Sequence, residues 1–594
     1  MFNKRPLNLV RDPKFRDCIQ TGYDAFLSII DRRLGDSETK RLIVAIDGTH
    51  GVSFERLREA LKNFYAHEEI GFIESQSYLK PETQIKEHFK ENITDNRAFG
   101  RKTNEGIESY FQPEARKLVR AQLEIESAKH RLTVVLGTGA YWLSQDAADL
   151  RFFADISREL QQIKHKAGMN NFGGLTGLDT VEKYKVALFV EWPILETYRK
   201  RHLHEMDYYI DMNTEDEPKT AGVSDLLGMM KDISNYPLRV KPFFAPGVWG
   251  GQYLKQLADL PADMPNCAWS FEPIAPENSI LIAQSGAVME IPFLLVMMTG
   301  YKEILGQRIV DLFHDYFPIR FDYLDTIDGS NLSIQVHGKR DFLRKQFNEF
   351  MEQQESYYIM EKRPGSKVYL GFTESAGKES FLSAVRAAQD SGIPFDYTEH
   401  VQEWDCEKGD LFLIPTGTVH ASGKDNLVLE ISSTTWWFTF KIYDYVRKDS
   451  DGKPRPINID WAEENIDFEK KTGWVRQNLI PQPQLVREQG ENREYLLGKR
   501  DDLLFIVYRI HLTDEFVDDT NGEFMMLNLV EGEHVRIVSC EDESVFVELR
   551  YAESYILPSV FGRFKIINLG ERPCKIIKAG VSPDWNERLV DERV

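Results

Sequence analysis

The rhythm of apolar and polar positions changes near residue 235. Before it, short β-branched runs end in glycine, as in RLIVAIDG (41–48) and RLTVVLGTG (131–139), and VALFVEW (186–192) reads as a third such strand. Between them lie long charged stretches with helical spacing, such as 89–127. Strands alternating with helices predict parallel βαβ units and a doubly wound sheet, so 1–235 reads as an α/β domain. NTEDEPKTAGVSD (213–225) is polar and acidic and predicts a linker or surface loop. From about 236 onward short strands alternate with Gly, Pro, Asn and Asp: LSIQVHG, KVYLGF, DLFLIPTGTVHASG and NLVLEISS. That spacing predicts a sandwich or barrel over 236–483, interrupted by a small helix near 378–391. The same texture returns over 484–594 and predicts a second, similar β domain.

Composition narrows the class. The chain has 594 residues, 42% hydrophobic and 28% charged, which excludes global disorder. Its net charge of −21 argues against non-specific binding to nucleic acid or anionic membrane. Five widely spaced cysteines with no CxxC pair argue against a disulfide framework and a cysteine zinc site. The N-terminal residues lack the apolar core of a secretory signal, and the longest strongly apolar run, 291–298, is too short to span a bilayer. A reducing, cytoplasmic compartment is expected. Oligomeric state leaves no mark on the pattern.

Candidate chemistry concentrates in three segments. In GDLFLIPTGTVHASG (409–423), Gly409 turns into a strand, Pro415 and Gly417 suit a tight turn out of it, and His420 opens the returning strand. The hairpin either aims one imidazole into a barrel mouth or is a plain turn before a core histidine. In LSIQVHG (332–338), Ser333, Gln335 and His337 alternate onto one face. In QQESYYIMEKRPGSKVYLGF (353–372), Glu355 opens an aromatic strand, where it is either solvated at the strand end or compensated by a cation. Gln335, His337, Glu355 and His420 together make a mixed N/O set of single negative charge. Zinc, one ion per chain, suits that set, and the position it leaves open suggests a catalytic site.

The hairpin motif matches the second motif of the cupin superfamily, except that Lys424 stands where the distal Asn is usual. FPIRFDYLDTIDGSNLSIQVH, QESYYIMEKRPGSKVYLGF, GDLFLIPTGTVHASG and FKIYDYVRKDSDGKPRPINIDWAEENIDF, with PFFAPGVWGGQYL upstream, resemble successive segments of type I mannose-6-phosphate isomerases over about 236–470. LVEGEHV and AESYILPS resemble that family's second cupin. The resemblance implies a double-cupin fold, zinc at Gln335, His337, Glu355 and His420, and a phosphate-binding role for Ser333. It implies interconversion of mannose-6-phosphate and fructose-6-phosphate through a cis-enediol. Three positions depart from the family. Gly338, Lys339 and Arg340 follow His337 in place of Pro and acidic residues, Gln353 replaces a lysine, and Lys441 replaces the active-site arginine. Lys keeps the charge and loses the bidentate fork, and Lys441 becomes the candidate for stabilising the enediolate. These changes leave two further readings: a non-catalytic sugar-phosphate sensor, and an isomerase of another sugar.

IVAIDGTHGVSFERL (43–57) resembles the phosphate loop of uridine-kinase-like P-loop domains, and GTGAYWL, FFADISRE and 189–211 fit the rest of such a domain. Gly48 and Gly51 are present, but Ser53, Phe54 and Glu55 stand where the final glycine, the lysine and the Ser/Thr are required. The loop is degenerate for kinase chemistry. It either holds an anion at the helix N-terminus or merely packs helix on strand.

Overall fold

The computed structural model describes residues 2–590 apart from 39–40, 67–69, 436, 449–454 and 456. The chain divides into two compact units. One is built on Leu7–Ile233 with Ser279–Thr299, the other on Ser234–Asn278 with Gly300–Asp591.

In the first unit a seven-stranded sheet runs in the order Gln20–Thr21, Lys219–Gly222, Tyr208–Asp211, Leu150–Asp155, Leu42–Gly48, Leu132–Leu136, Ile70–Glu74. The five strands from Tyr208–Asp211 to Ile70–Glu74 are parallel, and the other two pair antiparallel at one edge. Leu42–Gly48 is central, with a neighbour on either side, so its carboxyl end opens where ligand crevices form in such sheets. Phe26, Ile30 and Leu34 from helix Tyr23–Asp36, with Leu57 and Leu61 from helix Phe54–Phe64, pack onto Val44, Ile46, Val134 and Phe152 in one cluster. A separate three-stranded sheet joins Leu7–Leu9 in parallel to Ser279–Gln284, which forms a hairpin with Ala287–Pro292.

Two local expectations differ from the structure. VALFVEW is not a strand. Ala187–Glu191 is a π-helical segment between helices Thr180–Val186 and Trp192–His202. Its residues are buried on all sides, so the apolar run carries no period that separates helix from strand. The helix starts at Asp179, which forms a capping box with Glu182. The stretch 213–225 is a loop only at its start, since Lys219–Gly222 is a strand paired on both sides and helix Val223–Ile233 follows at once.

The second unit is rich in antiparallel sheet. A six-stranded sheet orders Leu411–Ile414, Glu355–Lys362, Asn426–Ser433, Ile319–Asp325, Trp269–Phe271 and Phe243–Ala245. A five-stranded sheet orders Val401–Asp405, Lys367–Phe372, His420–Ser422, Ile334–His337 and Thr439–Tyr443. Helix Lys378–Ser391 interrupts the strands, as its spacing predicts. Beyond 483 a six-stranded and a four-stranded sheet enclose a core of Ile510, Leu527, Leu529, Ile537, Phe564 and Ile576. No helix among the described residues is long and apolar enough to cross a membrane.

Candidate metal centre

The site begins with a turn. Thr418 N–H donates to Pro415 O at 3.2 Å, and Gly417 has φ +77°, so Pro415–Thr418 reverses with glycine where an L side chain is strained. A Cβ at Gly417 would also meet Asn465 O at 2.9 Å. Lys470 ties the turn down, donating to Thr416 O at 2.7 Å and Thr418 Oγ1 at 3.0 Å. Burial pushes its ammonium down to about 8. The turn delivers His420 to the start of its strand, and Thr418 O accepts from His420 Nδ1 at 2.8 Å. A carbonyl only accepts, so Nδ1 carries a proton and Nε2 is the nitrogen left to ligate.

Register aligns the neighbours. Gln335 lies opposite His420 on one side and opposite Lys441 on the other, so all three share a sheet face. His337, two residues on, shares that face and stands opposite Thr439, whose Oγ1 is 3.4 Å from His337 Nδ1. Glu355 reaches in from the six-stranded sheet. Its Oε1 is 2.9 Å from His337 Nε2 and its Oε2 is 3.1 Å from His420 Nε2. His337, Glu355 and His420 are at most 2% exposed, and one ligand atom from each lies within 4.8 Å of the others. Gln335 Nε2 is 3.3 Å from His420 Nε2, while its Oε1 accepts from the buried Ser333 hydroxyl at 3.2 Å. Turning that amide over presents oxygen to the same point. The structure therefore brings Gln335, His337, Glu355 and His420 together, with Ser333 and Lys441 alongside.

The convergence is not a satisfied hydrogen-bond cluster. His337 Nε2 and Glu355 Oε2 are buried without an aligned partner, and the His420 lone pair faces a carboxylate oxygen. Acceptors pointed at one another in a dry site need a cation between them. Burial raises Glu355, but His337 and His420 outweigh it and hold the carboxyl well below its usual range. Burial also pushes His337 down, keeping the imidazole neutral and able to ligate, against the opposing pull of Glu355.

Further polar groups surround the ligands, and of these only Gln353 stood out in the sequence. Gln353 Nε2 donates to Glu355 Oε1 at 2.6 Å. Arg320 sits 3.5 Å from Glu355, 2.9 Å from Asp322, and paired with Glu430, all of them buried. Burial pushes Asp322 up to about 7 and Glu430 well above its usual range, both against the pull of Arg320. The signal lay in FPIRFDYLD and NLVLEISS, where charged residues alternate inward along strands with no polar face. Arg320 is the one guanidinium among these three buried carboxyls, and a cation at the ligand cluster would add to its compensation of Glu355.

In the other unit, Gly48–Ser53 leads from the central strand into helix Phe54–Phe64. Lys164 Nζ binds Gly51 O at 2.8 Å, Ser53 Oγ at 3.1 Å and Glu215, so a fixed ammonium fills part of the loop.

Residues 22–235 match a family described as a domain of unknown function (DUF8485). Over somewhat more than half of its length the chain is similar to curated isomerases. Mannose-6-phosphate isomerase ManA of Bacillus subtilis (strain 168) is 26% identical over 342 residues, 57% of this chain and 98% of that protein. The mannose-6-phosphate isomerase of Streptococcus mutans serotype c is 23% identical over 54% of this chain and 92% of its own length. Among solved structures, the Bacillus subtilis mannose 6-phosphate isomerase aligns with a TM-score of 0.48 at 19% identity, covering 58% of this chain and 99% of its own.

Proposed function

We propose that the second unit is a zinc-dependent aldose–ketose isomerase interconverting mannose-6-phosphate and fructose-6-phosphate. The observation that carries this is the convergence of buried His337, Glu355 and His420, with His337 Nε2 and Glu355 Oε2 left without a hydrogen-bond partner. Similarity to isomerases along almost their whole length supplies the substrate class. His337, Glu355, His420 and Gln335 hold the metal, which when bound supplies Lewis-acid polarisation of the substrate oxygens. Ser333 takes the phosphate, for which its hydroxyl must leave Gln335. Lys441, opposite Gln335 on the ligand face, stabilises negative charge as a proton passes between C1 and C2 through a cis-enediol. The neutral Gln353 keeps Glu355 free to serve the cation rather than a fixed lysine ammonium. The five cysteines are all unpaired, which supports a reducing, cytoplasmic setting.

A coupled assay of fructose-6-phosphate release from mannose-6-phosphate, on zinc-loaded and chelator-treated protein, tests the reading. Turnover is expected only with zinc. His420→Ala should lose the bound metal at this site and the activity while the fold persists, and unchanged metal content in that variant would refute the ligand set. The replacement of the arginine by Lys441 favours one second reading, a sugar-phosphate sensor. It predicts mannose-6-phosphate binding by zinc-loaded protein without turnover.

A further inference from the structure

Gln161 and His165 project from one face of helix Arg158–Lys166 into the interior of the first unit, and Glu191 ends the π-helical segment Ala187–Glu191. His50 stands in the loop after the central strand. These last three form a second group whose ligand atoms lie within 4.8 Å of one another. His165 is 4% exposed and its Nε2 is buried with no hydrogen-bond partner. Glu191 is 1% exposed, and its Oε2 accepts from Asn171 Nδ2 at 3.1 Å and Phe172 N at 3.0 Å. His50 Nε2 donates to Asn170 O at 2.8 Å, which leaves Nδ1 as the lone pair. Imidazoles and carboxylates oriented by hydrogen bonds from their far side are how proteins prepare metal ligands. A π-helical turn displaces a side chain from the regular helical face, and such turns recur at functional positions.

The surroundings favour a cation. His50 also lines a cavity of about 880 Å³ beside the loop. Glu55, Glu59, Glu74 and Glu215 line that cavity against Arg56 and Lys164, and Lys164 is already paired with Glu215. Such a wall repels a polyphosphate and concentrates a divalent ion.

We propose that His50, His165 and Glu191 bind a divalent transition-metal ion of the zinc class, with its remaining position toward the cavity. Two imidazoles and one carboxylate make a three-ligand set that leaves room for an exogenous ligand. The loop that resembles a phosphate cradle would thus be a metal-site loop.

The test is zinc content of the full chain after loading and exhaustive dialysis, measured by elemental mass spectrometry. Wild type is expected to hold two equivalents, and His50→Ala, His165→Gln and His420→Ala one each. The double variant His50→Ala/His420→Ala should hold none. His50 lies in a half-exposed loop, so its variant keeps the test readable if His165→Gln fails to fold. Cobalt loaded into His420→Ala should give a visible d–d absorption that His50→Ala abolishes. The proposal is overturned if His50→Ala retains the wild-type metal content, or if His420→Ala alone removes all zinc. Loss in His50→Ala with none in His420→Ala would leave this site standing and refute the ligand set of the second unit instead.

Discussion

A lysine ammonium and an arginine guanidinium carry the same charge, but only the second grips two oxygens at once. If Lys441 stabilises the enediolate, Lys441→Ala should lower kcat by about 10²-fold or more with a smaller change in KM. Lys441→Arg should keep or raise it, and steady-state kinetics on matched zinc-loaded proteins would show both. A second residue-scale expectation concerns His511, in strand Phe505–Leu512, whose Nε2 is buried without a partner. Burial, with Arg509 and Lys575 nearby, pushes its imidazole down to about 4. The unfolded chain takes up that proton near pH 6.5 and the folded chain does not, so stability falls as pH drops from 6.5 towards 4. The loss should reach no more than about 3 kcal/mol for this partly exposed ring. His511→Gln should flatten the decline in melting midpoint between pH 7 and 4.5. An unchanged slope would remove His511 as the cause.

At the scale of elements, the Pro415–Thr418 turn is the part that aims a ligand. Gly417→Ala must accept a positive φ and a Cβ against Asn465 O, at a cost of about 1–3 kcal/mol. The expected result is a lower melting midpoint together with zinc affinity weakened about tenfold or more, measured by competition with a chromogenic chelator. A stability loss with unaltered affinity would mean that the turn does not position His420. The turn and the four ligand candidates were legible because each depends on local order: Pro and Gly at fixed places, and alternation along a strand. Arg320, Asp322 and Glu430 escaped notice because their pairing is made by register between strands more than 100 residues apart. The His50–His165–Glu191 group escaped because a loop, a helix and a π-helical segment far apart in sequence bring it together, compounded by reading the run that ends near Glu191 as a strand. Apolar runs as short as VALFVEW have the same appearance in either element when every side is buried.

At the scale of the whole molecule, a change of texture near 235 was readable, but the path of the chain is less simple. The chain passes between its two units after Pro6, Ile233, Asn278 and Thr299. Nothing in 279–299 distinguishes its strands from those around them, and the pairing of Leu7–Leu9 with Leu281–Ala283 reveals where they belong. Asp211 Oδ2 also accepts from Glu290 N at 2.7 Å, tying the hairpin to the sheet of the first unit. A fragment ending at 235 therefore lacks part of its own structure. Joining 7–233 through a short Gly/Ser linker to 279–299 should give a protein that melts several degrees above 7–235, as followed by circular dichroism. Equal midpoints would show that the hairpin contributes nothing to the unit.

The late return of that hairpin has a consequence for synthesis. When Ile233 leaves the ribosome, the first unit still awaits 279–299, whose last residue follows 66 positions later. At about 5–20 residues per second this is a delay of roughly 3–13 s, long compared with the time in which most helices and hairpins form. Throughout it Leu7–Leu9 has no partner strand, and the strongest apolar run of the chain, 291–298, has not yet arrived to be buried. The nascent chain thus carries an open strand edge through a defined interval. Slowing translation between codons 234 and 299 should lower soluble yield, and the same slowing after codon 300 should affect the first unit far less.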